Sequence, residues 1–201
     1  QISYDPNDIL YDEKLQELSE LVAAEESTKN IAIGVISFGE ISEFFLHATD
    51  YDNLDDVIWF GTDSNANEKK IIEDEKISLF AEKVSFKAIQ FASDYDSPSH
   101  KDVESKLYLE LDYLPSTYAF AAYDAVWLLG LSMLDVESID ATDIASTIQD
   151  TSQFYTGVLG ELTFNDAGDL VSDNYDVWFV QEGKWYKNTS HFIESVERDL
   201  A

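Results

Sequence analysis

Cysteine is absent from this 201-residue chain. Disulfide staples, thiol nucleophiles and cysteine-ligated metals are therefore excluded, and whatever holds the fold is non-covalent. Basic residues are scarce: 12 Lys and Arg stand against 41 Asp and Glu, a formal charge of -29. Phosphate backbones and anionic lipid surfaces are gripped by clustered Lys and Arg, so nucleic-acid partners and adhesion to such a surface are excluded. The acidic surface suits solubility in salty surroundings, where self-repulsion is screened. Proline and glycine are few, at three and eight. Aromatic residues are abundant, with 12 Phe, 11 Tyr and 4 Trp in a chain that is 45% hydrophobic. That is enough for a packed core and argues against disorder.

Catalytic and metal-binding patterns are missing as well. His47, His100 and His191 share no ligand spacing and read as surface or boundary residues. No glycine precedes Ser37 at nucleophile-elbow spacing, and neither a Walker loop nor a dinucleotide glycine fingerprint occurs. Asp166, Asp169 and Asp173 do not follow the twelve-residue calcium pattern and read as a hairpin turn. No enzyme activity, cofactor or metal is expected.

Hydrophobic periodicity supplies the architecture. Residues 8–26 and 40–49 carry apolar residues at helical spacing, and a further helical segment spans 67–82. Between them lie two short, continuously apolar runs, Ile31–Ile36 and Val57–Phe60, which read as buried strands, and Val84–Ile89 looks like another strand. Helix and strand alternating in this way predict an α/β fold with a doubly wound, mostly parallel sheet. Ser93–Ser99 has linker chemistry, and a charged helix is expected over 101–111. Thr117–Leu134 is the most apolar stretch. Its length invites a membrane-spanning reading, but Asp124 and Ser132 within it favour a helix buried in a protein core. A helix over 141–149 capped by Thr142 or Asp143 follows. Strands over 159–164 and 175–180, with Trp185 and Tyr186 returning at an edge, close the pattern.

The segment Val57–Asp63 carries the functional expectation. A glycine breaks an apolar strand, and the polar loop Gly61–Asn67 places Asp63 just beyond the strand's carboxyl end. Ligands bind at that rim in open α/β sheets. A carboxylate with neighbouring hydroxyls there suits a small molecule carrying an ammonium group, although Asp and Asn in such loops also serve as caps and turn formers.

Several segments in order carry a resemblance: Gly34–Glu40, Trp59–Asp63, Tyr118–Leu129 with Ala-Tyr-Asp-Ala-Val at its centre, the hairpin Thr156–Asp169 and Tyr175–Val180. Together they resemble the substrate-binding proteins of branched-chain amino-acid type ABC transporters. The resemblance implies the type I periplasmic-binding fold, which extracellular ligand-binding receptors also use. It implies one lobe near complete, residues 1–91 and 171–201, plus part of the other, residues 92–170, and a further portion before Gln1. It implies an extracytoplasmic protein that captures an amino acid or amide between lobes and delivers it to a membrane permease. A sensor domain reporting to a membrane receptor is the alternative. By position, Asp63 resembles the acidic residue that meets the ligand ammonium, with Asp in place of the longer Glu. Thr62 lies beside it, and Ser37, Phe38 and Gly39 resemble the aromatic and backbone flank of the ligand. Thr117–Leu134 is expected to pack in a homodimer, a swapped assembly or against a further segment.

Overall fold

The computed structural model describes residues 1–7, 9–25, 31–112, 115–171 and 175–190. These fall into two compact units, the first comprising Gln1–Gln90 and Asp176–Ser190, the second Phe91–Tyr175.

The first unit contains α1 (Tyr11–Ala23), β1 (Ala32–Gly34), α2 (Ile41–Ala48), β2 (Ile58–Gly61), α3 (Lys70–Glu73), α4 (Glu75–Lys83) and β3 (Lys87–Phe91). The chain returns to it through β4 (Tyr175–Gln181) and β5 (Lys184–Ser190). The five strands lie in the order β1-β2-β3-β4-β5, with β1, β2 and β3 parallel and Ile33 opposite Trp59. The fold is thus mixed α/β with a mostly parallel sheet. The single segment expected over 67–82 is two helices, because the Asp74 carboxylate accepts from the Lys76 and Ile77 amides and starts a new helix there. β4 and β5 are joined by Glu182 and Gly183, both at positive φ, so short a link joining only antiparallel neighbours. Trp185 and Tyr186 lie on this last strand, at the sheet edge as expected.

One face of the sheet makes the core. Ile33, Trp59, Ala88 and Val180 bury against Leu15 and Val22 of α1, Phe44 and Phe45 of α2, and Phe80 of α4. Trp59 is centred on this cluster, edge-on to Phe45 and Phe80, with its indole N–H donating to the Leu54 carbonyl at 2.9 Å. The strands alternate between buried and exposed positions. Ile58 and Phe60 are exposed, which corrects the expectation of continuously buried runs and of Phe60 as a core residue. Side chains in a strand point to opposite faces, so an apolar run is buried throughout only where both faces are covered.

The second unit contains α5 (Pro98–Leu111), α6 (Thr117–Asp135) and α7 (Ala141–Ser152). Asp140, rather than Thr142 or Asp143, caps α7 by accepting from the Thr142 amide. The segment expected as a strand over 159–164 takes part only in isolated bridges, Thr156 with Glu161 and Phe164 with Leu170. The second bridge closes the expected turn at 165–169, where Gly168 takes φ +86°; Asp173 lies outside the described residues. His100 corrects the sequence expectation, being fully buried against Phe120. His47 is partly exposed and paired with Asp12, and His191 lies outside the described residues.

The organising group of this unit is Asp124. It is buried in α6, and its carboxylate accepts from Tyr155 Oη at 3.0 Å and from the Val158 and Leu159 amides at 2.8 Å each. The loop passes so close that a Cβ on Gly157 would overlap the carboxylate. The two most family-like motifs, Ala-Tyr-Asp-Ala-Val and the Gly-x-x-Gly hairpin, are therefore one structural device. Asp124→Asn would set an amide against two backbone donors, and we expect it to cost about 2–4 kcal/mol in urea unfolding. Asp124→Glu should not restore the loss, because Gly157 leaves no room for a longer side chain.

Candidate functional site

The carboxyl ends of β1 and β2 carry the residues singled out from the sequence, and both ends lie in the first unit. After β1 the chain runs through Ser37, Phe38 and Gly39 into α2. After β2, Thr62 precedes a single helical turn, Asp63–Asn65.

Two side chains, Asn65 and Ser64, join the two loops. Asn65 is fully buried and its amide nitrogen donates to the Ser37 carbonyl at 3.0 Å, the Ser37 hydroxyl at 3.1 Å and the Phe38 carbonyl at 3.2 Å. Its amide oxygen accepts from the Thr62 backbone N–H at 3.0 Å. Ser64 adds a bond from its hydroxyl to the Ser37 carbonyl at 2.7 Å. Two β-α loops far apart in sequence are thereby pinned to each other. Gly61 belongs to the same arrangement: a Cβ there would lie 2.7 Å from both Asn65 Oδ1 and Phe86 Cζ. The glycine that ends the strand is thus required by close approach.

What the clamp presents is mixed in chemistry. Phe38 stands 72% exposed, and Asp63 is exposed at the start of its helical turn, its carbonyl 3.4 Å from Gln90 Nε2. Thr62 is partly buried, its hydroxyl 2.9 Å from that of Ser64. Ser37 is buried with its hydroxyl turned to Asn65, so it serves the loop, while Gly39 is partly exposed near Glu68 and Lys70. Sequence reasoning missed Asn65, Ser64 and Gln90. The spacing of Thr62 and Asn65, a cap residue followed three positions later by a side-chain amide, resembles a capping box and was the available signal. Among the described residues no group of three or more His, Asp or Glu could hold a metal ion.

Beside the first loop, Tyr4 donates to Glu40 Oε1 at 2.9 Å. Burial first, then the hydrogen bond and charge of Glu40, push the Tyr4 hydroxyl well above its ordinary value. Burial alone would raise Glu40, but backbone hydrogen bonds at Glu40 and Phe38, the Tyr4 hydroxyl and the Lys70 charge outweigh it and hold the carboxyl low.

Residues 1–183 match the family described as the receptor family ligand binding region. The chain belongs to this family. An uncharacterised protein of Methanocaldococcus jannaschii is 25% identical over 197 residues, covering 92% of this chain and 46% of that protein. Among solved structures, a leucine binding protein from Thermotoga maritima is similar with a TM-score of 0.72 at 16% identity, over 93% of this chain and 50% of that one. A solute binding protein of R. palustris in complex with benzoate has a TM-score of 0.66 at 14% identity, over 94% and 49%. An ABC transporter substrate-binding protein of Desulfitobacterium hafniense in complex with Leu has a TM-score of 0.58 at 21% identity, over 87% and 48%. The family member described here spans about half the length of these relatives, and at such identities the likeness to solved structures is one of fold.

Two outcomes test this arrangement. Asn65→Ala leaves the Phe38 carbonyl and the Thr62 amide without this partner and the Ser37 carbonyl with the Ser64 hydroxyl alone, and should cost about 3 kcal/mol in urea unfolding. Asn65→Asp, which keeps the acceptor but faces two carbonyls with a carboxylate, should cost at least as much. The Tyr4 and Glu40 pair sets a pH dependence. A raised tyrosine contributes stability that is complete below about pH 10 and lost as pH climbs towards its folded value. A lowered glutamate contributes above about pH 4 and loses it as pH falls. Tyr4→Phe should therefore flatten the alkaline arm of a stability-against-pH curve, and weaken the acid arm through loss of its bond to Glu40.

Proposed function

We propose that this chain is part of an extracytoplasmic solute-binding protein of an ABC importer, capturing a small amino acid or amide. The observation that carries the reading is the pinned pair of loops. An exposed carboxylate and an exposed aromatic ring are held on one rim at the carboxyl ends of parallel strands, where open α/β sheets bind ligands. In this reading Asp63 pairs with the ligand ammonium and Thr62 offers a hydroxyl beside it. Phe38 lies along the apolar part of the ligand, and the backbone at Gly39 approaches closely for want of a side chain. Asn65 and Ser37 hold these groups in place.

The first unit is then the second lobe of a two-lobed binder, and the second unit belongs to the first lobe, with capture completed by lobe closure. A membrane permease is the partner that receives the ligand, and no chemical step is assigned to the protein. The named leucine-binding neighbour supports an apolar amino acid, whereas the benzoate-bound one shows that the fold accommodates carboxylates without an ammonium group. The family description, a receptor ligand-binding region, favours one further reading: a sensor domain that uses the same rim and reports to a membrane receptor. A signalling module encoded in the same gene would decide for the sensor.

The test is a thermal-shift and calorimetric screen of L-leucine, other amino acids, amides, urea and benzoate, on this chain and on the longest natural form of the protein. A ligand at a hundred times its Kd should stabilise by about 2.7 kcal/mol, a shift of several degrees. Asp63→Ala should weaken an ammonium-bearing ligand at least tenfold while leaving the unliganded melting temperature within about a degree, since exposed positions contribute little. No response in either form would reject the amino-acid reading, and a large loss of stability with binding retained would make Asp63 a cap.

A further inference from the structure

Side-chain donors around the rim are engaged within the protein. A hydroxyl has one proton to give. Ser64 gives its proton to the Ser37 carbonyl at 2.7 Å, so Thr62 must be the donor in the 2.9 Å contact between the Thr62 and Ser64 hydroxyls. Asn65 Oδ1, at 3.5 Å, is a longer acceptor for the same proton. The Ser42 hydroxyl goes to the Gly39 carbonyl at 2.9 Å, and the Gln90 amide to the Asp63 carbonyl at 3.4 Å. Asn65 directs its N–H groups at Ser37 and Phe38. Main-chain donors at the entry to α2 are engaged as well. The Phe38 and Glu40 amides bond the Glu40 carboxylate. The Ile41, Ser42 and Glu43 amides bond the carbonyls of Phe38, Gly39 and Glu40. A helix start is ordinarily a place for an anion, and here the chain's own Glu40 takes it.

Positive charge is short in the same loops. Residues 35–40 and 61–68 contain no Lys or Arg, but include Glu40, Asp63 and Glu68. Lys69 and Lys70 follow. Lys70 Nζ stands beside Gly39 together with Glu68 Oε2, and its charge acts on Glu40, so two carboxylates already face it. Arginine, whose guanidinium fork suits carboxylates, occurs once in the chain, at Arg198.

Resting on the solute-binding reading of this site, we infer that its ligand is an organic cation of net positive charge, an amine or a basic amino acid. The rim presents acceptors: the Asp63 carboxylate and the lone pairs of the Thr62 hydroxyl. An ammonium brings three N–H donors and a guanidinium five, and neither needs a donor in return. The exposed ring of Phe38 attracts the same charge through its face. At a formal charge of -29 the field of the chain concentrates cations and depletes anions at its surface. A ligand carboxylate on this rim meets Asp63 and no side-chain donor to hold it.

The experiment is calorimetry on the longest natural form of the protein, with probes of similar carbon chain and different charge: L-lysine, cadaverine, L-norleucine and hexanoate. L-Lysine or cadaverine should bind about tenfold or more tightly than L-norleucine, and hexanoate should not bind. Raising salt from about 50 to about 500 mM should shrink that preference, because exposed charges are screened. Asp63→Asn should erase most of it with the unliganded melting temperature within about a degree, and Phe38→Leu should reduce it more than Phe38→Tyr. L-Norleucine, L-leucine or hexanoate binding as tightly as the cations would overturn the inference and leave the solute-binding reading standing. Cation binding unchanged by Asp63→Asn would overturn it as attraction to the acidic surface at large. No binding by any of these probes would reject both.

Discussion

The structure around the rim depends on one buried amide. Asn65 makes three donated contacts and accepts from the Thr62 amide and hydroxyl, and all of these go to the two loops that follow β1 and β2. A carboxamide offers two N–H donors and a separate acceptor oxygen without carrying charge into the interior. Its effect is geometric. Phe38 and Asp63 belong to different β-α units, and the Asn65 bonds, with that of Ser64 to the Ser37 carbonyl, tie the two loops together. The constraint reaches back into the strands: Gly61 has no side chain because Asn65 and Phe86 occupy the space.

Asp124 plays the corresponding part in the second unit, with a different chemistry. The loop at 155–159 presents donors only, the Tyr155 hydroxyl and two amides, so an acceptor-only carboxylate satisfies it where a carboxamide would not. Tyr155 responds as expected of a phenol beside a buried acid: burial first, then its bond to Asp124, raises it above its ordinary value. Both units therefore place a loop by spending one buried polar group, and in both a glycine lies within overlap distance of that group. This pairing accounts for Gly61 and Gly157 among the glycines of the family-like motifs.

Much of the first unit was legible in the sequence, because alternating helical and strand-like apolar periods survive in short segments such as Ile31–Ile36 and Ile41–Ala48. What hydrophobicity could not tell was which strand faces are covered. Val57–Phe60 reads as buried throughout, and the fold exposes every second residue of it. Apolar composition misled again at α6, where most of its large residues are exposed, Phe120 and Leu128 apart, and its one internal acid is buried. A polar residue at a fixed helical position next to a glycine-rich hairpin was the better guide there, since its partner lies more than thirty residues away. Thr62 and Asp63 were singled out from strand-end logic and from the family resemblance, and the structure places both in the loop after β2. Asn65 was passed over because an Asn in a polar loop carries no signal of burial.

The central claim is that Asn65 holds Phe38 and Asp63 as one binding rim. The most direct test is a crystal structure of the longest natural form of the protein with L-leucine or whichever amino acid stabilises it most. The account predicts the ligand ammonium within hydrogen-bond distance of the Asp63 carboxylate and its apolar part against Phe38, with the Asn65 bonds to Ser37 and Phe38 intact. A ligand bound away from both loops, or an Asp63 carboxylate turned inward as a cap while the ligand is held elsewhere, would contradict it.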